Sequence, residues 1–86
     1  MMEKPIVLVT GANGFIGSHI VERMANEGYS VRGLVRKNSD LSLLEGINVN
    51  LVYGDVTDAV SLALAVAGVS IVIHNAGLAS DWGPLE

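Results

Sequence analysis

Three glycines at spacings of three, Gly11, Gly14 and Gly17, lie in the stretch TGANGFIG, directly behind the apolar run PIVLV. Glycine loses more conformational freedom on ordering than any other residue, so the cluster needs a backbone reason. Between a strand and a helix it has one. The first turn of a helix carries unpaired N–H groups and the positive end of the helix dipole. A phosphate docked there is stabilised without any lysine. Gly11 would permit the tight turn, Gly14 the approach of a diphosphate to the backbone, and Gly17 the close packing of helix on strand. Asn13 belongs to the same cradle. The N–H groups of Phe15 and Ile16 are expected to face the diphosphate, with the Ile16 side chain packed inward.

Spelling separates the competing phosphate loops. A P-loop needs Gly-x-x-x-x-Gly-Lys-Ser/Thr, whereas Gly17 is followed by Ser18 and His19. The usual dinucleotide fingerprint is Gly-x-Gly-x-x-Gly, and this loop is one residue longer in its first gap. The plain alternative is a turn that holds nothing.

A second group of residues bears on which dinucleotide would fit. An acidic residue at the end of the second strand would bind a ribose 2′-OH, the NAD arrangement. Here the stretch is LVRKNSD, so Arg36 and Lys37 stand there instead. A cation at Arg36 suits the 2′-phosphate of NADP; NAD remains the alternative, because Asp40 would reach the ribose if the loop folds back. A solvated basic turn is the bland reading of the same residues. Two separated histidines, His19 and His74, do not make a metal site, and a lone His at a strand end is ordinarily structural.

These residues need elements to position them. Ile6–Val9 is a short continuous apolar run, the mark of a strand buried on both faces. Phe15–Asn26 places Ile16, Ile20 and Met24 on one helical stripe, with Gly28 as the stop. Ser30–Val35, Val49–Tyr53 and Ser70–His74 read as further strands. Asp40–Glu45 reads as a short helix ended by Gly46. Asp58–Ala67 reads as a helix capped by Thr57 or Asp58 and ended by Gly68. The pattern is βαβαβαβ, an α/β chain with parallel strands in the order 3-2-1-4. Strands 1 and 4 then flank the switch point, where ligands of such sheets bind. SLALAVAG, in the third helix, is apolar almost all round, as in helices covered on both faces, although Ala-rich surfaces are also common.

The loop TGANGFIG, followed by GDVTD (Gly54–Asp58) and HNAG (His74–Gly77), resembles the extended short-chain dehydrogenases/reductases. That family includes nucleotide-sugar epimerases and dehydratases, dihydroflavonol reductases and hydroxysteroid dehydrogenase/isomerases. The three landmarks come in the family's order and spacing and span nearly the whole chain. NAGLASDWGP (Asn75–Pro84) is most similar to the steroid-type and flavonol-type branch. The resemblance implies a partial, three-layer Rossmann-type sheet, with residues 1–86 as the N-terminal part of a dinucleotide-binding domain. It implies that Asp55 accepts a hydrogen bond from the adenine amino group and that Val56 packs beside the ring. Asp55 as a simple turn cap is the competing reading. Ala76 and Gly77 would line the nicotinamide-side ribose, and Trp82 would either touch substrate or anchor local packing.

The family's catalytic pair is Tyr-x-x-x-Lys. Only Tyr29 and Tyr53 occur, followed four residues on by Gly33 and Thr57, so no catalytic residue is assigned. The resemblance therefore implies the cofactor-binding portion of a longer NAD(P)-dependent reductase, dehydrogenase or epimerase, inactive alone. A dinucleotide-binding redox sensor of the same family is the alternative. So is a small α/β domain without a ligand.

Composition limits the rest. The 86 residues carry a net charge of −4, a poor match to non-specific nucleic-acid binding. The chain has no cysteine, which excludes disulfides and thiolate chemistry and fits a cytoplasmic protein. No run reaches the roughly 18 apolar residues of a membrane span. The fourth strand, without a fifth beside it, would leave an apolar edge open, and self-association is expected there.

Overall fold

The first strand, β1 (Ile6–Thr10), lies between helices on its two faces, and its continuous apolar sequence follows from that position. In this computed structural model, which describes residues 4–75, Val7, Leu8, Val9 and Thr10 are completely buried. The chain continues through α1 (Phe15–Asn26), β2 (Ser30–Val35), a 3-10 turn (Ser42–Leu44), β3 (Asn50–Tyr53), α2 (Ala59–Val66) and β4 (Ile71–His74). The strands form one parallel sheet in the order β3-β2-β1-β4, as the alternation of elements predicts.

Strand alternation divides the core. Val7 and Val9 join Val31, Val35, Leu44 and Val21 of α1 on one face. Leu8 and Leu34 meet Ala65 of α2 on the other. In register, Val9 lies opposite Gly33 and Ile73, so the centre of the sheet is set by small and β-branched residues.

Local chemistry sets the helix ends. Gly28, at φ +98°, closes α1: its N–H donates to the Ala25 carbonyl, and the Tyr29 N–H donates to that of Met24. This is the paired bonding of a Schellman cap. At the start of α2 the Asp58 carboxylate accepts from the Val60 N–H at 3.1 Å and from the Ser61 hydroxyl at 3.0 Å. Asp58 rather than Thr57 is therefore the cap. At the far end of α2, the Arg32 guanidinium reaches from β2 and donates to the carbonyls of Ala65 (2.7 Å) and Ala67 (2.8 Å). A cation on the last carbonyls also complements the dipole.

Two expectations are corrected. The helix expected over Asp40–Glu45 is only the 3-10 turn Ser42–Leu44. The Asp40 carboxylate takes the Ser42 N–H at 3.0 Å, closing a local turn that competes with a helix. Glu45 is already extended and Gly46 has φ +79°, so the segment has no room for a second turn. Ile16, expected to pack inward, is 52% exposed. The face of α1 turned to the sheet is Gly17, Ser18 and Val21, with Ile20 and Met24 on its flank. Close approach at Gly17 rotates Ile16 outward.

Replacing Arg32 by Met should remove both carbonyl contacts while keeping the aliphatic stem. A loss of about 1 to 3 kcal/mol is expected, read as a lower urea midpoint at unchanged slope.

Candidate functional site

At the carboxyl end of β1 the chain turns sharply through Gly11, at φ +64°, a region costly to residues with a Cβ. The Gly11 N–H donates to the Leu34 carbonyl at 3.1 Å, and the Gly11 carbonyl accepts from the Gly14 N–H at 3.2 Å. Gly14 is the N-cap of α1 and, lacking a side chain, gives no side-chain hydrogen bond to the first turn. The first intrahelical bond runs from the Ser18 N–H to the Gly14 carbonyl at 2.8 Å. Among the described residues, the amides of Phe15, Ile16 and Gly17 begin the helix without a side-chain cap.

The glycines differ in what demands them. A Cβ on Gly17 would sit 2.1 Å from the Gly11 carbonyl oxygen and 2.9 Å from Asn75 Nδ2, so α1 starts in direct contact with the β1 turn. A Cβ on Gly14 would meet only the Gly11 oxygen, at an ordinary 3.7 Å. Neither packing nor a positive φ requires glycine at 14. The smallest side chain there leaves clear the space outside the uncapped amides. An anionic ligand fits that arrangement, and a diphosphate suits it.

The neighbouring strand tips complete the surroundings. Thr10 Oγ1 accepts from the Asn75 N–H at 2.9 Å and lies 3.0 Å from His74 Nδ1. Asn75 Nδ2 donates to the Gly11 carbonyl at 3.4 Å. The tips of β1 and β4 are thus fastened across the switch point, and His74 has a structural partner. Ala76, Gly77 and Trp82 lie outside the described residues.

Beyond β2, Arg36 to Ser39 form a turn, with Asn38 at φ +66° and the Ser39 N–H on the Arg36 carbonyl at 3.2 Å. The segment folds back onto the glycine loop, where Asn13 Nδ2 donates to the Asp40 carbonyl at 3.3 Å. The Asp40 carboxylate itself turns to Ser42, whose hydrogen bonds, chiefly from its amide, hold its pKa below the ordinary value. A cleft of about 190 Å³ results, lined by Gly11, Asn13, Arg36, Ser39, Gly54 and Val56 among others. Four residues singled out from the sequence, Gly11, Asn13, Arg36 and Val56, meet there.

Asp55 stands on the other side of Arg36. It lines an adjoining hollow with Lys37, Tyr53 and Ser61, and Arg36 borders both spaces. Its Oδ1 accepts from the Thr57 N–H and hydroxyl, each at 2.9 Å, while Oδ2 lies 3.9 Å from Arg36 Nε. The Thr57 bonds, with a smaller contribution from Arg36, hold the Asp55 carboxyl below its ordinary pKa, so it is ionised at neutral pH. Asp55 does cap a turn, and its second oxygen faces the cation. The Phe15 and Ile16 side chains border a separate hollow on the outer face of α1, with His19 and Arg23. The His19 ring packs against Phe15 at 4.7 Å between centroids, and its Nδ1 is 2.8 Å from the Phe15 carbonyl. The side chains of these two residues do not line the cleft beside the glycine loop.

Sequence reasoning missed the side chains of Thr10 and Asn75, although both lie in quoted motifs. The signal was there in principle: polar residues at the ends of two strands that must be neighbours. Among the described residues, no group of three or more His, Cys, Asp or Glu is placed to hold a metal ion, and no helix is long and apolar enough to cross a membrane.

The sequence model of the NAD dependent epimerase/dehydratase family matches residues 7–84. The chain belongs to this family. Cinnamoyl-CoA reductase 1 of Oryza sativa subsp. japonica is 44% identical over 86 residues, covering 92% of this chain and 25% of the reductase. The crystal structure of vestitone reductase from alfalfa (Medicago sativa L.) superposes with a TM-score of 0.72 at 32% identity, over 83% of this chain and 24% of that one. WbmH of Bordetella bronchiseptica, crystallised in complex with NAD+, gives a TM-score of 0.75 at 26% identity, over 92% of this chain and 28% of WbmH. As an epimerase/dehydratase-family chain, the protein spans about a quarter of the length of the curated relatives it matches.

Gly17→Ala and Gly14→Ala should behave differently. The first forces two backbone segments apart and should cost about 1 to 3 kcal/mol in urea unfolding. The second should cost less than about 1 kcal/mol, the difference between Gly and Ala at an N-cap.

Proposed function

We propose that this chain is the cofactor-binding, N-terminal portion of an NAD(P)-dependent reductase, dehydrogenase or epimerase, and that it takes NADP in preference to NAD. The observation that carries this reading is the uncapped, glycine-opened start of α1, standing at the switch point beside a cleft that Arg36 borders. In this reading the amides of Phe15, Ile16 and Gly17 hold the diphosphate, adding dipole stabilisation of up to about 2 kcal/mol in a partly buried site. The adenosine occupies the cleft between Gly11 and Asn13 on one side and Gly54 and Val56 on the other. Asp55 takes the adenine amino group at its rim, and Ala76 and Gly77 receive the nicotinamide-side ribose.

Bound here, the dinucleotide would supply a hydride donor or acceptor. This chain's own residues bind and orient it. The Tyr-x-x-x-Lys pair that would move a proton at the substrate is absent from the sequence, so residues 1–86 alone should not turn over substrate. The preference for NADP rests on the Arg36 guanidinium, whose forked donors suit a phosphate monoester, with Lys37 next to it. The Asp40 carboxylate, which would favour a free 2′-OH, is turned to Ser42.

The same reading extends to assembly. β4 pairs with β1 on one side and is the edge of the described sheet. Ile71 and Val72 on it are 38% and 51% exposed, and Val60 and Leu64 of the adjacent α2 are each 68% exposed. An apolar edge of this kind invites a second copy.

Two measurements test these points. Calorimetric titration should show tighter binding of NADPH than NADH, and Arg36→Ala should narrow the gap by about tenfold, the equivalent of one charge-assisted hydrogen bond. Asp55→Ala should weaken both. Equal affinities for the two cofactors would remove the preference, and no binding of either would remove the function. Sedimentation should show concentration-dependent association, and a monodisperse monomer at high concentration would remove the assembly.

A further inference from the structure

The turn that carries Arg36 has little to hold it. Arg36, Lys37 and Asn38 are all exposed and lie beyond the end of β2. The Arg36–Asp55 pair is 3.9 Å apart, with 75% of the Arg36 side chain and 40% of the Asp55 side chain exposed, so it restrains little. Among the described residues, Ser39 bonds only back to Arg36, within the turn. From the other end, Asp40 is tied by its carboxylate to Ser42, and the 3-10 turn that follows is anchored by Leu44, 5% exposed in the core. Between these ends, the bond from Asn13 Nδ2 to the Asp40 carbonyl is, among the described residues, the one hydrogen bond joining this segment to the glycine loop.

Asn13 thus stands with its backbone in the phosphate turn and its side chain committed to the chain. We infer that Asn13 is a positioning residue: through the Asp40 carbonyl it holds the Arg36 turn against the glycine loop, and so sets how strongly a 2′-phosphate is distinguished from a 2′-hydroxyl. The inference rests on the cofactor reading given above and concerns what that site discriminates. Without the tether the turn must be ordered when the phosphate binds, and immobilising one long side chain costs enough to change affinity about three- to tenfold. That cost falls on the ligand that uses Arg36.

The experiment uses the 86-residue chain, wild type and Asn13→Ala, with adenosine 2′,5′-bisphosphate and 5′-AMP as probes. The two probes differ only in the 2′-phosphate. The ratio of their affinities should fall about three- to tenfold in the variant, whichever way the 5′-AMP value moves. A purely structural loss would lower both together and leave the ratio intact, which would overturn the inference. A second arm needs no ligand: amide hydrogen exchange over 37–41 should accelerate in Asn13→Ala while β1 and α1 stay protected. The isosteric Asn13→Asp, which keeps the turn chemistry and removes the donor, should show the same exchange pattern. Unchanged exchange in both variants would overturn the tether. If wild type binds neither probe, the cofactor reading falls and the discrimination with it, while the exchange arm still decides whether Asn13 holds the turn.

Discussion

The carbonyl of Gly11 is the point on which the site depends. It accepts from the Gly14 N–H, which shapes the loop, and from Asn75 Nδ2, which joins the loop to the tip of β4. It also occupies the space that any side chain at residue 17 would need. These three relations place the N-terminus of α1 against the turn at the end of β1. A helix dipole is effective only within about a turn of its end, so a displacement of α1 would cost the site most of its field. The glycines at 11 and 17 are thus requirements of the fold, whereas neither packing nor backbone conformation demands glycine at 14.

The sheet explains why that placement is firm. β1 is buried on both faces, and α1 and α2 press on it from opposite sides. α2 is itself restrained at both ends, by the Asp58 carboxylate at its start and by Arg32 at its finish. Arg32 is a charged residue in the strand paired with β1, and its long side chain delivers the guanidinium to the helix end. The rigid side of the site is therefore the strand ends and helix starts. On the other side is the segment after β2, where, among the described residues, a single side-chain amide reaches across.

Much of this was legible from residue types. Glycine spacing, continuous apolar runs and the stops at Gly28 and Gly68 gave the order of elements and the parallel sheet, because each reflects a local backbone requirement. Gly11, Asn13, Arg36 and Val56 line one cleft because strand ends in such a sheet share one edge. The failures have separate causes. Asp40–Glu45 read as a helix ended by Gly46, but a side chain that satisfies a nearby amide removes the need for a helix. Ile16 belonged to an apolar stripe whose phase was set by Gly17, a residue without hydrophobicity to count. Thr10, Arg32 and Asn75 act on partners between 33 and 65 positions away, and no short window contains both members of those pairs.

That separation has a consequence for how the protein is made. The bond between Asn75 and the Gly11 carbonyl spans 64 positions, and it can close only after three crossovers have docked. A ribosome therefore releases the loop long before the residues that fasten it. During that interval the nascent segment has its glycines but not its shape. Long-range closure of this kind slows folding, so the arrival of β4 governs when this edge of the sheet takes its shape.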